Sequence, residues 1–126
     1  MTVLIVDSST AIIERLASLI SETGNVKTIL KAETGKAVTE LLKVSKPDVV
    51  LLDIGLPGNK SFDLIWEIKK SNAATAVIVL SIHTNVHMEE QCNSLGADYF
   101  FDKYHEFEKI PGVINSIAAN KKLAGQ

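Results

Sequence analysis

The sequence predicts an α/β fold in which parallel strands alternate with helices packed on both faces of one sheet. Three observations predict it. Short, uninterrupted apolar runs recur at Val3–Val6, in DVVLLD (Asp48–Asp53) and in TAVIVLS (Thr75–Ser81), as in strands buried on both faces. Between these runs the apolar residues recur at helical spacing. No linker, repeat or low-complexity tract interrupts the 126 residues, a length that suits one domain with its own core.

Each element follows in order. Val3 to Val6 is the first strand. From Thr10 to Thr23, Ile12, Leu16, Leu19 and Ile20 mark a helix, with Gly24 as its C-terminal stop. Val26 to Ala32 is a weaker strand. Thr34 is an N-cap for a helix through Val38, Leu41 and Leu42 that closes before Pro47. Asp48 to Asp53 is the third strand, and IGLPGNK behind it is a loop by composition. Phe62, Leu64, Ile65 and Ile68 form the apolar stripe of the third helix, and Trp66 falls off that stripe. Ala76 to Leu80 is the fourth strand. Asn85 caps a fourth helix ending at Leu95-Gly96, whose only apolar positions are Val86, Met88, Cys92 and Leu95. So thin a stripe predicts loose docking. Asp98 to Phe101 is the last strand and Phe107 to Leu123 the last helix, with Pro111 tolerable only in its first turn. Five such units joined by right-handed crossovers give a flavodoxin-like doubly wound sheet of order 2-1-3-4-5.

Composition excludes several classes. A net charge of −2 and only short lysine pairs argue against direct nucleic-acid binding. One cysteine rules out an internal disulfide framework and suits a reducing compartment. No apolar run reaches a membrane-spanning length of ~18 residues and no export signal opens the chain, so a cytoplasmic protein without a membrane segment is expected.

In such sheets ligands bind beyond the carboxyl ends of the strands. Asp7 ends the first strand, Asp53 the third and Ser81 the fourth, and Lys103 follows the fifth, so four polar groups gather on one edge. An aspartate ending a strand is most often a turn former; four such groups at one edge are harder to dismiss. Two nearby carboxylates repel, and Mg²⁺, a hard dication with a preference for oxygen, would relieve them. A carboxylate can also attack phosphorus, and the new phosphoryl oxygens would want a hydroxyl and a cation, as Ser81 and Lys103 supply.

VLIVD, DVVLLDIGLPG, VIVLS and GADYFFDK resemble, in order and spacing, the response-regulator receiver family over essentially the whole chain. The resemblance implies Asp53 as phosphoacceptor and Lys103 as the phosphate-pairing cation. It implies Ser81 as switch hydroxyl and Phe100 as switch aromatic. Mg²⁺ would be held by Asp7, Asp53 and the Gly55 backbone carbonyl. The partners implied are a histidine kinase or phosphotransfer protein, and a downstream protein reading the surface of the fourth helix, fifth strand and fifth helix. The chain is then expected to be a single receiver domain (1–126) without an output domain, assisting its own phosphotransfer but turning over no external substrate.

Three positions depart from the family pattern. Ser8 stands where a second acid is usual: it is either a helix cap, which Ser9 or Thr10 could equally be, or a replacement that weakens Mg²⁺ binding while still holding the ion through a water. Ile82 follows the switch serine, either narrowing access to the site or packing under the fourth helix. Tyr104 replaces a common proline, so the usual cis bond before it is not expected. These departures sustain an alternative, a phosphorylation-independent interaction module on the receiver scaffold. A third reading, a nucleotide or flavin binder, lacks a glycine-rich phosphate loop such as GxGxxG. His83, His87 and Cys92 fit no closed four-ligand zinc pattern, and Cys92 reads as a small core residue.

Overall fold

A computed structural model describes residues 1–83 and 85–124. Its strands are β1 (Thr2–Val6), β2 (Thr28–Ala32), β3 (Val49–Asp53), β4 (Ala76–Ser81) and β5 (Tyr99–Asp102). Its helices are α1 (Thr10–Ser21), α2 (Gly35–Val44), α3 (Lys60–Ser71), α4 (Val86–Ser94) and α5 (Ile110–Ala124). All strand pairs are parallel and the order is β2-β1-β3-β4-β5, as expected from the sequence.

Successive strand residues face opposite sides, and this divides the core in two. Leu4, Val6, Val50, Leu52, Val77 and Val79 meet Val38 of α2, Leu64, Ile65 and Ile68 of α3 and Cys92 of α4. On the other face Val3, Ile5, Val49, Leu51, Ile78 and Leu80 meet Ile13, Leu16 and Ile20 of α1 and Ile110 and Ile114 of α5. Burying a Leu or Ile side chain in this way contributes about 1.5–3 kcal/mol each. β2 is an edge strand with mostly exposed or half-buried residues, which explains its weak pattern. Its pairing starts where β1 starts, Thr2 opposite Thr28, so Val26 and Lys27 lie outside the strand.

Thr34 and Asn85 cap α2 and α4 as expected, accepting from the N–H groups of Ala37 and Met88. Gly24 and Gly96 follow α1 and α4 with φ of 76° and 113°, which favour glycine. The last helix does not start at Phe107. A 3-10 turn, Phe107–Lys109, precedes α5, because in a continuous α-helix the Pro111 ring would meet the Phe107 carbonyl. Trp66 is 54% exposed, with the Lys70 ammonium 4.6 Å from its ring centre.

Asp48 and Asp98 close the amino ends of the strands. The Asp98 Oδ2 accepts from the Val77 N–H and the Lys69 ammonium, both at 2.9 Å. Asp48 Oδ2 accepts from the Thr2 N–H at 2.8 Å, and Lys121 lies 3.2 Å from its Oδ1. Partial burial would raise the Asp48 pKa, but the Thr2 amide and Lys121 outweigh it and hold it below the ordinary aspartate value. A depressed folded pKa stabilises above the unfolded value of ~3.9, and that contribution is lost as pH falls through the folded value. Asp48→Asn is expected to cost about 1 kcal/mol near neutral pH. Because the variant has no carboxylate to protonate here, the cost should shrink towards zero in urea melts near pH ~3.

Candidate functional site

The carboxyl edge of the sheet gathers the acids and the lysine the sequence singles out. Asp7 directly follows β1, Asp53 is the last residue of β3, and Lys103 directly follows β5. Their exposures are 1%, 7% and 6%, and they are the buried charged residues among those described. Lys103 Nζ lies 2.6 Å from Asp7 Oδ2 and 3.4 Å from Asp53 Oδ1. Burial acts to lower the Lys103 pKa, but Asp7 and Asp53 outweigh it and hold it above the ordinary lysine value. One ammonium between two carboxylates leaves a buried excess of negative charge, which is costly unless further cation or hydrogen-bond donors compensate it.

Backbone amides fix both carboxylates, at the second oxygen of Asp7 and at the Asp53 oxygen that also faces Lys103. Asp7 Oδ1 accepts from the Ser9 N–H at 2.8 Å, and Asp53 Oδ1 from the Gly55 N–H at 3.0 Å. Asp7 Oδ2 is buried without a well-directed hydrogen bond, and the Lys103 ammonium at 2.6 Å is its charged neighbour. A Cβ built at Gly55 would lie 3.4 Å from Asp53 Oδ1, in contact with that face of the carboxylate. An under-satisfied carboxylate oxygen, a second carboxylate beside it and an open backbone edge at Gly55 fit a hard, oxygen-seeking dication. Its protein ligands would be few, since no group of three or more His, Cys, Asp or Glu gathers as a metal site among the described residues.

Residues 3–115 match the family model described as the response regulator receiver domain. The chain belongs to that family. Among known proteins it is 29% identical over 119 residues to protein PilH of Pseudomonas aeruginosa, covering 93% of this chain and 97% of PilH. It is 26% identical over 116 residues to the Fimbriae Z protein of Salmonella typhimurium, covering 92% of this chain but only 55% of that protein. The chain thus spans about half of one relative and nearly all of another. A CheY-like response regulator receiver domain protein from Methanospirillum hungatei superposes with a TM-score of 0.86 over 98% of this chain and 97% of that one, at 19% identity, which speaks for the fold.

This receiver's departures now have positions. Ser9, not Ser8, caps α1: its Oγ accepts from the Ile12 N–H at 3.3 Å. Ser8 is exposed beside Asp7 and makes no hydrogen bond among the described residues, so its hydroxyl is free of the capping role. Ile82 is 49% exposed, which excludes packing beneath α4. No peptide bond among the described residues is cis, and the loop carrying Lys103 is organised without proline. Asp102 Oδ1 accepts from the N–H groups of His105 (2.8 Å) and Tyr104 (2.9 Å), while the Asp102 N–H donates to Glu106 Oε1 at 2.9 Å. The two amides hold the Asp102 pKa below the ordinary aspartate value. The Lys103 N–H, donating to the Ser81 carbonyl at 2.7 Å, then fixes where the lysine leaves the sheet.

Ser81 shares the rim but not the hydrogen bonding of the charged cluster. Its hydroxyl donates to the His83 carbonyl, accepts from the His83 N–H at 3.2 Å and touches Met88 Sδ at 3.7 Å. Phe100, three residues before Lys103, is half-buried against the α3–α4 core that includes Cys92. Cys92 itself is fully buried, and burial raises its thiol pKa to about 11. Asp102 and Glu106 are the organising residues that the sequence reading missed; an aspartate with a glutamate four residues later at a strand end was their available signal.

Proposed function

We propose that this receiver is a phosphoacceptor switch of a two-component or phosphorelay system, with Asp53 taking a phosphoryl group from the phosphohistidine of a histidine kinase or phosphotransfer protein. The observation that carries the reading is the meeting of Asp53, Asp7 and Lys103, the buried charges of the described chain, within 2.6–3.4 Å of the lysine ammonium. In the reaction an Asp53 carboxylate oxygen attacks phosphorus. The oxygen–phosphorus bond forms as the nitrogen–phosphorus bond breaks, and the electron pair stays on the imidazole. Lys103 pairs with the transferred phosphoryl oxygens. Ser81 leaves His83 to donate to one of them, and Phe100 follows by repacking. Asp7, Asp53 and the Gly55 carbonyl would hold Mg²⁺, and Ser8 would reach it through a water. The ion, when bound, offsets the negative charge that otherwise repels the phosphodonor.

The switched state is read by a protein partner on the face made by α4, β5 and α5. Such a domain turns over no external substrate. No helix of the described residues is long and apolar enough to cross a membrane, and a cytoplasmic setting suits the reading.

Intact-mass spectrometry after incubation with acetyl phosphate tests the proposal. One phosphoryl group gained with Mg²⁺ and none without it is the expected result. A folded protein that gains none in ample Mg²⁺ overturns it, and leaves a phosphorylation-independent interaction module on the same scaffold. Restoring a second acid supplies a further check: Ser8→Asp should tighten Mg²⁺ binding about tenfold by calorimetry. An unchanged affinity would remove Ser8 from the metal site.

A further inference from the structure

Ser61 is fully buried in the first turn of α3, and its hydroxyl donates to the backbone carbonyl of Asp53. The same peptide unit is held at its other end, where the Ile54 N–H donates to the Leu80 carbonyl at 3.0 Å. α3 and β4 therefore grip the peptide that follows Asp53 from two sides. Within this grip lies the turn whose Gly55 N–H fixes the Asp53 carboxylate through Oδ1 at 3.0 Å. A carboxylate that must meet phosphorus in line, and share a cation with Asp7, gains from a fixed backbone plane.

We propose that Ser61 is a positioning residue for Asp53: through the Asp53 carbonyl it sets the plane from which the carboxylate and the Gly55 turn face the cation and the phosphodonor. The inference rests on the phosphoacceptor reading above. The competing account is that Ser61 merely satisfies a buried polar pair, and the chain contains a control for it. Thr75, 1% exposed, donates its hydroxyl to the Pro47 carbonyl at 2.6 Å, at the opposite, amino edge of the sheet.

The test compares wild type, Ser61→Ala and Thr75→Val. The Mg²⁺ dissociation constant is read from the Gly55 amide resonance, the rate of labelling by acetyl phosphate is measured at saturating Mg²⁺, and each thermal midpoint is recorded. Both variants should melt earlier, each having lost a buried hydroxyl. Only Ser61→Ala should bind Mg²⁺ more weakly and label more slowly, each by about three- to tenfold. The wild type gives a second readout that needs no substitution: Mg²⁺ should shift the Ser61 Cβ resonance along with the Gly55 amide and leave Thr75 unmoved. A Ser61→Ala protein matching Thr75→Val in affinity and rate, or a Ser61 resonance indifferent to Mg²⁺, overturns the role of Ser61 while wild-type labelling keeps the site reading intact. A wild type that takes neither Mg²⁺ nor phosphate overturns both.

Discussion

Asp53→Asn is expected to abolish phosphoryl uptake from acetyl phosphate while leaving the fold in place. The amide has the shape of the carboxylate but is far too poor a nucleophile to open the donor's bond to phosphorus. Its oxygen can still accept the Gly55 N–H that Asp53 Oδ1 now takes at 3.0 Å. Lys103 also keeps its nearer partner, Asp7, at 2.6 Å. One of two mutually repelling carboxylates is gone, so stability should stay within about 1 kcal/mol of wild type or rise. Mg²⁺ affinity should fall with the lost ligand. Intact mass, a urea melt and a metal titration on the same preparation read all three. Retained Mg²⁺-dependent labelling would place the phosphoacceptor elsewhere, with Asp7 the first alternative to map.

Lys103→Met carries the second large effect, and on stability as much as on chemistry. Removing one partner of a buried ion pair commonly costs about 3–5 kcal/mol, because the remaining charge stays uncompensated. Here two carboxylates would remain, at 1% and 7% exposure. They can recover by binding a cation. Mg²⁺ should restore more stability to the variant than it adds to wild type. In wild type, with Lys103 held above its ordinary pKa, the stabilisation is complete below the unfolded value of ~10.4 and is lost as pH rises through the folded one. Urea melts over pH, with and without Mg²⁺, check every part. Labelling should drop sharply as well, since the phosphoryl oxygens lose their cationic partner.

The sheet was legible because its three central strands, β1, β3 and β4, are buried on both faces. Val49–Asp53 is buried at every position, and such a run has few other interpretations. Element ends were less legible where a side chain took over the role of the backbone. Asp48 and Asp98 look in sequence like strand residues, yet both serve as caps whose carboxylates receive strand amides. Asp7 and Asp53 are the same residue type at the other edge, and what distinguishes them is the strand direction, which alternation with helices reveals. The gathering of Asp7, Asp53 and Lys103 was readable for that reason. The commitment of the Ser81 hydroxyl to His83 was not, because a serine rotamer leaves no periodic trace. Ser61 was equally silent: within a helical stripe of Phe62, Leu64 and Ile65 a buried serine looks like a polar interruption until its acceptor is seen.

Of the nine residues of α4 only Cys92 is buried, whereas α3 buries Ser61, Leu64, Ile65 and Ile68. Moving a two-position element from 1:99 to 99:1 takes about 5.5 kcal/mol of bias. A phosphoryl group gaining two or three charge-assisted hydrogen bonds, at about 1.5–3 kcal/mol each, supplies an amount of that order. Against three large aliphatic anchors the same bias would be absorbed; against one small thiol it is enough to redraw a surface. Amide hydrogen exchange should therefore find α4 opening more readily than α3 beside it, giving this molecule a weak hinge on a firmer frame.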